Sequence, residues 1–513
     1  MYCTAVLSLA LGVAAQQFAG ETITASLPAV DGAELAYFKI NDQSGANENL
    51  TLINYYGLGS SGQRIDPKNV QRAVVTIHGL LRDPDAYFTD TKNALSKATA
   101  KDPTINPDTV AIMTPYFTNG DDKSHGYPWT DGLSAGQGST TSALVWAGSQ
   151  WSKGANNQYP WTSTNTSSFY VLDQIIKYFD DADTFPNLHQ IVLVGHSMGG
   201  QMLQRYAAVG DDLGTRVPVT YWVGNPNSYS WLSPERPLNT TPCTTYDEYG
   251  SGYTSYDSYG KGGMTYGAAL VQQGIEAVRS NYDSKQIAYA RALRDHGDHS
   301  SGDGCAPYTT GNDRHERFFY FNQWFPARCP DPASANCDTV DLVDASHDNG
   351  QMFGSDAGLA RLFIDNFYGD NARAYDFGYP RQQNGDSPYP DPAQSTIPST
   401  AALSNTNVYA GNMTYAGCFT NQEPVTPAAL PNSMFDDAVN SIEDCTNACN
   451  DNGPRIAGMM NATQCLCGNA LNKASAVSVV DSACRLACPN NAEQICGAEE
   501  RVSVYSNGAV VFE

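Results

Sequence analysis

Basic residues are scarce in this chain. Its 513 residues carry 29 Lys plus Arg against 53 Asp plus Glu, a formal net charge of -24. A surface so negative repels phosphate backbones and anionic headgroups, which excludes nucleic acid and membrane surfaces as expected partners. Long apolar runs are missing as well, and none reaches the roughly 20 residues a membrane-spanning helix needs. One short run lies at the start, residues 5–15, and ends in Val13-Ala14-Ala15. Small residues after a short apolar run predict a signal peptide of residues 1–15, cleaved after Ala15, and a secreted, extracellular protein.

Cysteine is thin over most of the chain. After Cys3, only Cys243, Cys305, Cys329 and Cys337 precede residue 400. A domain with so few staples must rest on a hydrophobic core, for which the length is ample. Pairing of Cys243 with Cys305 and of Cys329 with Cys337 is expected there. The other eight cysteines (Cys418, Cys445, Cys449, Cys465, Cys467, Cys484, Cys488, Cys496) crowd into the last hundred residues. That density marks a small module held by disulfides, with too many pairings open for connectivity to be deduced. Sequons at Asn49, Asn165, Asn239, Asn412 and Asn461 fit an extracellular glycoprotein.

Short β-branched runs alternate with longer amphipathic stretches up to about residue 370. Strands are predicted at 73–77, 110–113, 190–194, 217–223, 286–290 and 340–343, and helices at 169–179 and 201–209, the second stopped by Gly210. Strands alternating with helices imply crossover units and a mostly parallel sheet, an α/β fold. Residues 379–408 are rich in Pro, Ser, Gln and Asn and read as an extended linker.

"IVLVGHSMGGQM" places Gly195-His196-Ser197-Met198-Gly199 between a strand and a helix. A G-x-S-x-G stretch there suits a nucleophile, because the small residues let the backbones pass at a strained strand-to-helix turn. "GLSAG" around Ser134 matches the same pattern, yet no apolar strand precedes it and no helical pattern follows. Context selects Ser197. Its base is expected at His347, after the last predicted strand and before an amphipathic stretch with Leu359, Leu362, Phe363 and Phe367. His296, His299 and His315 sit before that strand, and His196 cannot readily turn back onto its neighbour. The oxyanion donors are expected to be the N–H groups of Met198 and of Leu80 in "VVTIHGLLRD". The acid falls in "LRDHGDHSSGDG", residues 293–304, where Asp295 comes soonest after a strand and Asp298 and Asp303 are alternates. A metal site in that loop is disfavoured, because bunched residues in one Gly-rich loop rarely all face inward.

The strand ending in "HGL", the elbow "GHSMGG" and the chain order nucleophile, acid, histidine resemble the α/β-hydrolase fold over residues of roughly 30 to 370. The resemblance implies an eight-stranded, mostly parallel sheet with helices on both faces in a domain of residues 16–378. It also implies a lid inserted at about 225–285, where "YDEYGSGYTSYDSYGKGGMTYG" suggests a mobile wall over the pocket. The implied chemistry is carboxylic ester hydrolysis by a serine, without a cofactor or a metal.

The last hundred residues carry "YAGCF", Cys445-x-x-x-Cys449, "CLCGNAL", Cys484-x-x-x-Cys488 and "CGAEERVSVY". Together these resemble a WSC domain, placed at 409–513. That family implies binding of cell-wall polysaccharide through sugar faces stacked on aromatic rings. This copy has no Trp, and from residue 415 on its aromatics are Tyr415, Phe419, Phe435, Tyr505 and Phe512. The expected whole is a secreted ester hydrolase held near a cell wall. The alternative is a non-catalytic glycan-binding protein carrying a degenerate hydrolase domain.

Overall fold

Six apolar segments become the parallel part of one nine-stranded sheet. The computed structural model describes residues 17–19, 27–40, 50–125, 142–160, 165–241, 243–295, 304–328 and 337–371, then 408–421, 429–430, 432–435, 441–451, 455–472, 475–476, 478–479, 484, 486–498 and 501–512. The expected signal segment, residues 379–407 of the expected linker, Ser134, His296, Asp298, His299, Asp303 and Cys329 lie outside them. The chain forms two compact units, Met1–Pro388 and Tyr389–Glu513.

In the first unit the strands are β1 (Gln17–Ala19), β2 (Ala33–Lys39), β3 (Thr51–Gly57), β4 (Arg72–Ile77), β5 (Val110–Pro115), β6 (Gln190–His196), β7 (Val219–Gly224), β8 (Gln286–Ala292) and β9 (Thr339–Val343). Their spatial order is β1-β2-β3-β5-β4-β6-β7-β8-β9. The pairings of β1 with β2, β2 with β3 and β3 with β5 are antiparallel, and the rest are parallel. The eight strands expected are therefore nine, and the addition is the three-residue β1 at the antiparallel edge.

The helices are α1 (Pro84–Lys101), α2 (Ser168–Asp180), α3 (Met198–Val209), α4 (Ala268–Val271), α5 (Ile275–Asp283), α6 (Arg314–Trp324), α7 (Asn349–Phe353) and α8 (Asp356–Leu359). Ser167 starts α2 by accepting the Phe169 N–H, and Gly210 closes α3 by donating to Tyr206 O at 2.6 Å. Tyr87, Phe88 and Leu95 of α1 share a core with Val74, Val192, Val194, Trp222, Phe353, Leu362 and Phe363. α2 and α3 lie against β6 and β7, so helices cover both faces. The amphipathic stretch after His347 is not one helix. It is cut at Gly354 into α7 and α8 and ends in a π-helical turn, Ala360–Ile364.

The segment read as a mobile wall is packed instead. Tyr229, Trp231, Tyr249, Tyr256 and Tyr266 are all buried. Tyr249 Oη donates to Lys153 O at 2.6 Å, and Arg205 Nη2 of α3 donates to Gly250 O at 2.9 Å. Tyr206 and Tyr266 both donate to Asp173 Oδ1, at 2.6 and 2.8 Å. Tyr249, Tyr256 and Tyr266, with rings buried and hydroxyls satisfied, make a structural layer rather than a loose flap. The Cys243–Cys305 disulfide ties this segment to the chain beyond β8, and Cys337 is also disulfide-bonded.

The second unit is an antiparallel sheet in the order β11-β13-β12-β17-β10-β14, with a separate pair, β15 (Ala487–Cys488) and β16 (Asn491–Ile495). Its strands are β10 (Thr414–Thr420), β11 (Asn432–Phe435), β12 (Ile456–Met460), β13 (Gln464–Gly468), β14 (Ser478–Val479) and β17 (Arg501–Ser506), and among the described residues its α-helix is α9 (Ile442–Asp451). Cys445 and Cys449 stand one turn apart on α9, and Cys465 and Cys467 share a face of β13. Disulfides Cys445–Cys465 and Cys449–Cys467 join these two rows. Cys418–Cys484 and Cys488–Cys496 complete the framework among the described residues.

Candidate active site

Ser197 sits between β6 and α3 with φ 58° and ψ -119°, a left-handed backbone that costs a non-glycine residue about 1–3 kcal/mol. The turn needs glycine around it. A Cβ on Gly195 would stand 2.3 Å from Gly199 O, and one on Gly199 would stand 2.4 Å from Ile77 O. The Ser197 N–H is spent on Gly224 O at 2.9 Å, which anchors the turn to β7.

His347, on the loop between β9 and α7, meets Ser197 and Asp295 at once. Its Nε2 lies 2.9 Å from Ser197 Oγ, and its Nδ1 lies 2.7 Å from Asp295 Oδ2. An ionised carboxylate only accepts, so Nδ1 carries the proton and Nε2 is free to accept from the serine hydroxyl. Asp295 follows β8 and is 3 % exposed. Burial alone would raise its carboxyl. The His347 hydrogen bond and the charges of Arg291 and Arg314 outweigh burial and hold it at about 2. Its loop is braced against the histidine loop, with Leu293 N donating to Val343 O and Arg294 N to Ala345 O, at 2.8 and 3.0 Å.

The expected oxyanion donors flank the serine. Met198 is the first residue of α3, where a backbone N–H has no partner within the helix. Leu80 follows Gly79, at which an added Cβ would stand 3.6 Å from Ser197 Cβ. His78 directs this peptide. Burial pushes its ring down to about 3, so it is neutral. Its Nε2 accepts the Phe117 N–H at 3.0 Å, which leaves the proton on Nδ1, 3.0 Å from Gly79 O. Arg82 N also donates to Gly79 O, at 3.2 Å. Because the peptide is planar and trans, fixing the Gly79 carbonyl turns the Leu80 N–H the opposite way. Arg82 itself has φ 56° and holds Asp122 through Nε at 2.9 and 3.0 Å, while its Nη1 reaches Leu80 O at 2.7 Å.

His196 turns away from Ser197. Its Nδ1 is 3.2 Å from Tyr87 Oη, its Nε2 accepts from Asn225 Nδ2 at 3.1 Å, and its ring lies 4.7 Å from that of His347. Burial, followed by repulsion from His347, pushes His196 well below the ordinary histidine range. His315 lies on α6 against Phe319. Sequence reasoning did not single out Arg291, Arg314, Asn225 or Tyr87. The one signal available was Arg291 itself, a charge in the otherwise apolar strand "QIAYARA". Among the described residues, the group with metal-ligand proximity is Cys445, Cys449 and Cys465, and all three are committed to disulfides.

Known proteins bear on the two units unequally. Residues 415–498 match the WSC domain. A curated relative, a WSC domain-containing protein of Arthroderma benhamiae, is 36 % identical over 95 residues. That match covers 18 % of this chain and 10 % of the relative, so the likeness is confined to a small part of either chain. The first unit is a mostly parallel sheet with helices packed against it. A poly(3-hydroxybutyrate) depolymerase from Bordetella parapertussis aligns with a TM-score of 0.38 at 14 % identity, over 64 % of this chain and 88 % of that one. A siderophore hydrolase from Aspergillus nidulans aligns with a TM-score of 0.31 at 11 % identity, over 62 % and 91 %.

Proposed function

We propose that the first unit is a serine hydrolase of carboxylic esters. The observation that carries this reading is the relay of Ser197 Oγ, His347 and Asp295 at 2.9 and 2.7 Å, with the serine on a strained turn. In the proposed reaction His347 Nε2 takes the Ser197 proton as Oγ attacks the acyl carbonyl. Asp295 holds the resulting imidazolium in one orientation. The N–H groups of Leu80 and Met198 receive the oxyanion, His347 protonates the departing alcohol, and water releases the acyl group by the same steps in reverse roles.

The WSC domain supports a second element of the proposal, a secreted enzyme kept near cell-wall polysaccharide. The disulfide framework belongs with an oxidising compartment. No helix among the described residues is long and apolar enough to cross a membrane.

A fluorophosphonate probe tests the chemistry. Wild-type protein should be labelled, and Ser197→Ala should not. A folded wild type that stays unlabelled refutes the enzyme and leaves a glycan-binding protein with a degenerate hydrolase domain. A panel of chromogenic esters, amides and thioesters then fixes the acyl class. Pull-down on insoluble glucan, compared with the chain cut before residue 409, tests the targeting role.

A further inference from the structure

Asp295 is not simply the partner of one histidine. Its Oδ2 receives His347 Nδ1 and lies 3.3 Å from Arg291 Nη1, while Oδ1 lies 3.2 Å from Arg314 Nη1. Each oxygen therefore has its own guanidinium.

Neither arginine is placed where folding alone would put it. Arg291 belongs to β8, is 0 % exposed, and has no hydrogen bond from Nε, Nη1 or Nη2 among the described residues. A buried charge without hydrogen bonds is a net cost to folding, and apolar replacement of buried ion pairs is often neutral or stabilising. Its ion pair is with Asp295. Arg314 is the first residue of α6. A cation there opposes the helix dipole, yet Nε is held by Asn227 Oδ1 at 3.2 Å so that Nη1 reaches Asp295.

We infer that Arg291 and Arg314 are positioning residues that hold Asp295 as an oriented carboxylate, one guanidinium to each oxygen, so that His347 keeps the orientation it needs toward Ser197. The inference rests on the serine-hydrolase reading above. The groups facing Asp295 are His347 beyond β9, His196 at the end of β6, Arg291 of β8 and Arg314 of α6. Tyr229 and Asp313 face Arg291 in turn. Of the groups on Asp295 itself, the two arginines and His347 oppose burial. Without the arginines, His347 alone would oppose burial. A protonated Asp295 presents an O–H where one of these donors must be received, and the imidazole loses its fixed orientation.

The test is the pH profile of kcat/KM on an activated ester from pH 3 to 8, for the full chain and for Arg314→Gln, Arg314→Lys and Arg291→Met. Arg314→Gln should move the acid limb up by about one pH unit, in line with loss of one charge partner. It should also lower the plateau kcat about tenfold with KM unchanged, and Arg314→Lys should recover most of the shift. Arg291→Met removes a wholly buried charge. If it does not fold, Arg314→Gln, which replaces a partly exposed side chain, decides alone. Folded Arg314→Gln with an unmoved acid limb and unchanged kcat overturns the inference while leaving the hydrolase intact. A wild type that fluorophosphonate does not label overturns both.

Discussion

The Phe117 N–H donates to His78 Nε2 at 3.0 Å. That contact fixes the tautomer of a buried imidazole and, through Nδ1 and Gly79 O, the direction of the peptide carrying the Leu80 N–H. His78→Asn keeps a polar side chain but cannot span both contacts. It is expected to lower kcat by about a hundredfold with little change in KM, the cost of one misdirected oxyanion donor. Steady-state kinetics on a chromogenic ester measures it, and an unchanged kcat means the loop is held without His78.

Asp295→Asn replaces an acceptor with an amide that can present Nδ2–H to His347 and favour the wrong tautomer. Activity should fall about a thousandfold or more. Asp298→Asn should stay within about threefold of wild type. Parallel kcat/KM values for the two variants decide the assignment, and the reverse ranking gives the role to Asp298.

Stability should be greatest in mild acid. Burial pushes Asp83 up to about 6 and Asp173 and Asp338 up to about 7, from an ordinary value of 3.8. The folded chain therefore binds more protons than the unfolded chain between those values. The stability these groups contribute is full below about pH 4 and is lost as pH rises through 6 to 7. Asp295, held at about 2, acts oppositely, with its contribution lost from about pH 4 toward pH 2, and so do the buried imidazoles of His78 and His196, whose smaller opposing share is lost as pH falls below about 6.5. Tm should peak near about pH 4–5 and fall on both sides, and Asp173→Asn should flatten the upper side. A Tm that climbs from pH 5 to 8 contradicts this.

Gly199→Ala forces a methyl to 2.4 Å from Ile77 O and 2.7 Å from His78 O, both backbone atoms. The sheet cannot yield there cheaply, so a loss of about 3 kcal/mol is expected, together with loss of probe labelling. Thermal melts and fluorophosphonate labelling of the same preparation check both.

In the WSC domain, replacing Cys445 and Cys465 by Ser opens a link spanning 20 residues and should cost about 3 kcal/mol. α9 keeps its second link, Cys449–Cys467, so the loss should be partial. Urea unfolding followed by proteolysis resistance of the C-terminal unit reports it.

Much of the site was legible because its chemistry dictates local sequence. The elbow needs glycines two residues either side of Ser197, and the base needs a loop after the last strand, so Ser197 and His347 could be read and the structure brings them together with Asp295. The β-branched runs of β4 to β9 were legible for the same reason: strands buried on both faces read as apolar. The antiparallel edge was harder. β2 alternates half-buried residues in "AELAYFK", which carries little apolar signal by itself, and the three-residue β1 is held by pairing with it and by Gln17 bonding to Asn54, contacts distant in the sequence. The segment around Tyr249 and Tyr256 misled because tyrosine and glycine suit a loose wall and a packed layer equally well. Only the hydroxyl partners, Lys153 O and Tyr266 O, tell them apart. Arg291 was legible as an oddity but not as a contact, since its partner lies on the loop beyond the strand end.

Contacts that replace Cβ atoms with neighbouring main chain have a consequence for the attack geometry. The Ser197 turn is located by β4, α3 and β7 through Ile77 O, Gly199 O and Gly224 O. The Leu80 and Leu81 side chains are 54 % and 74 % exposed. Under the proposed reaction the attack geometry is thus set by main chain, and replacing the Leu80 and Leu81 side chains is expected to leave it unchanged.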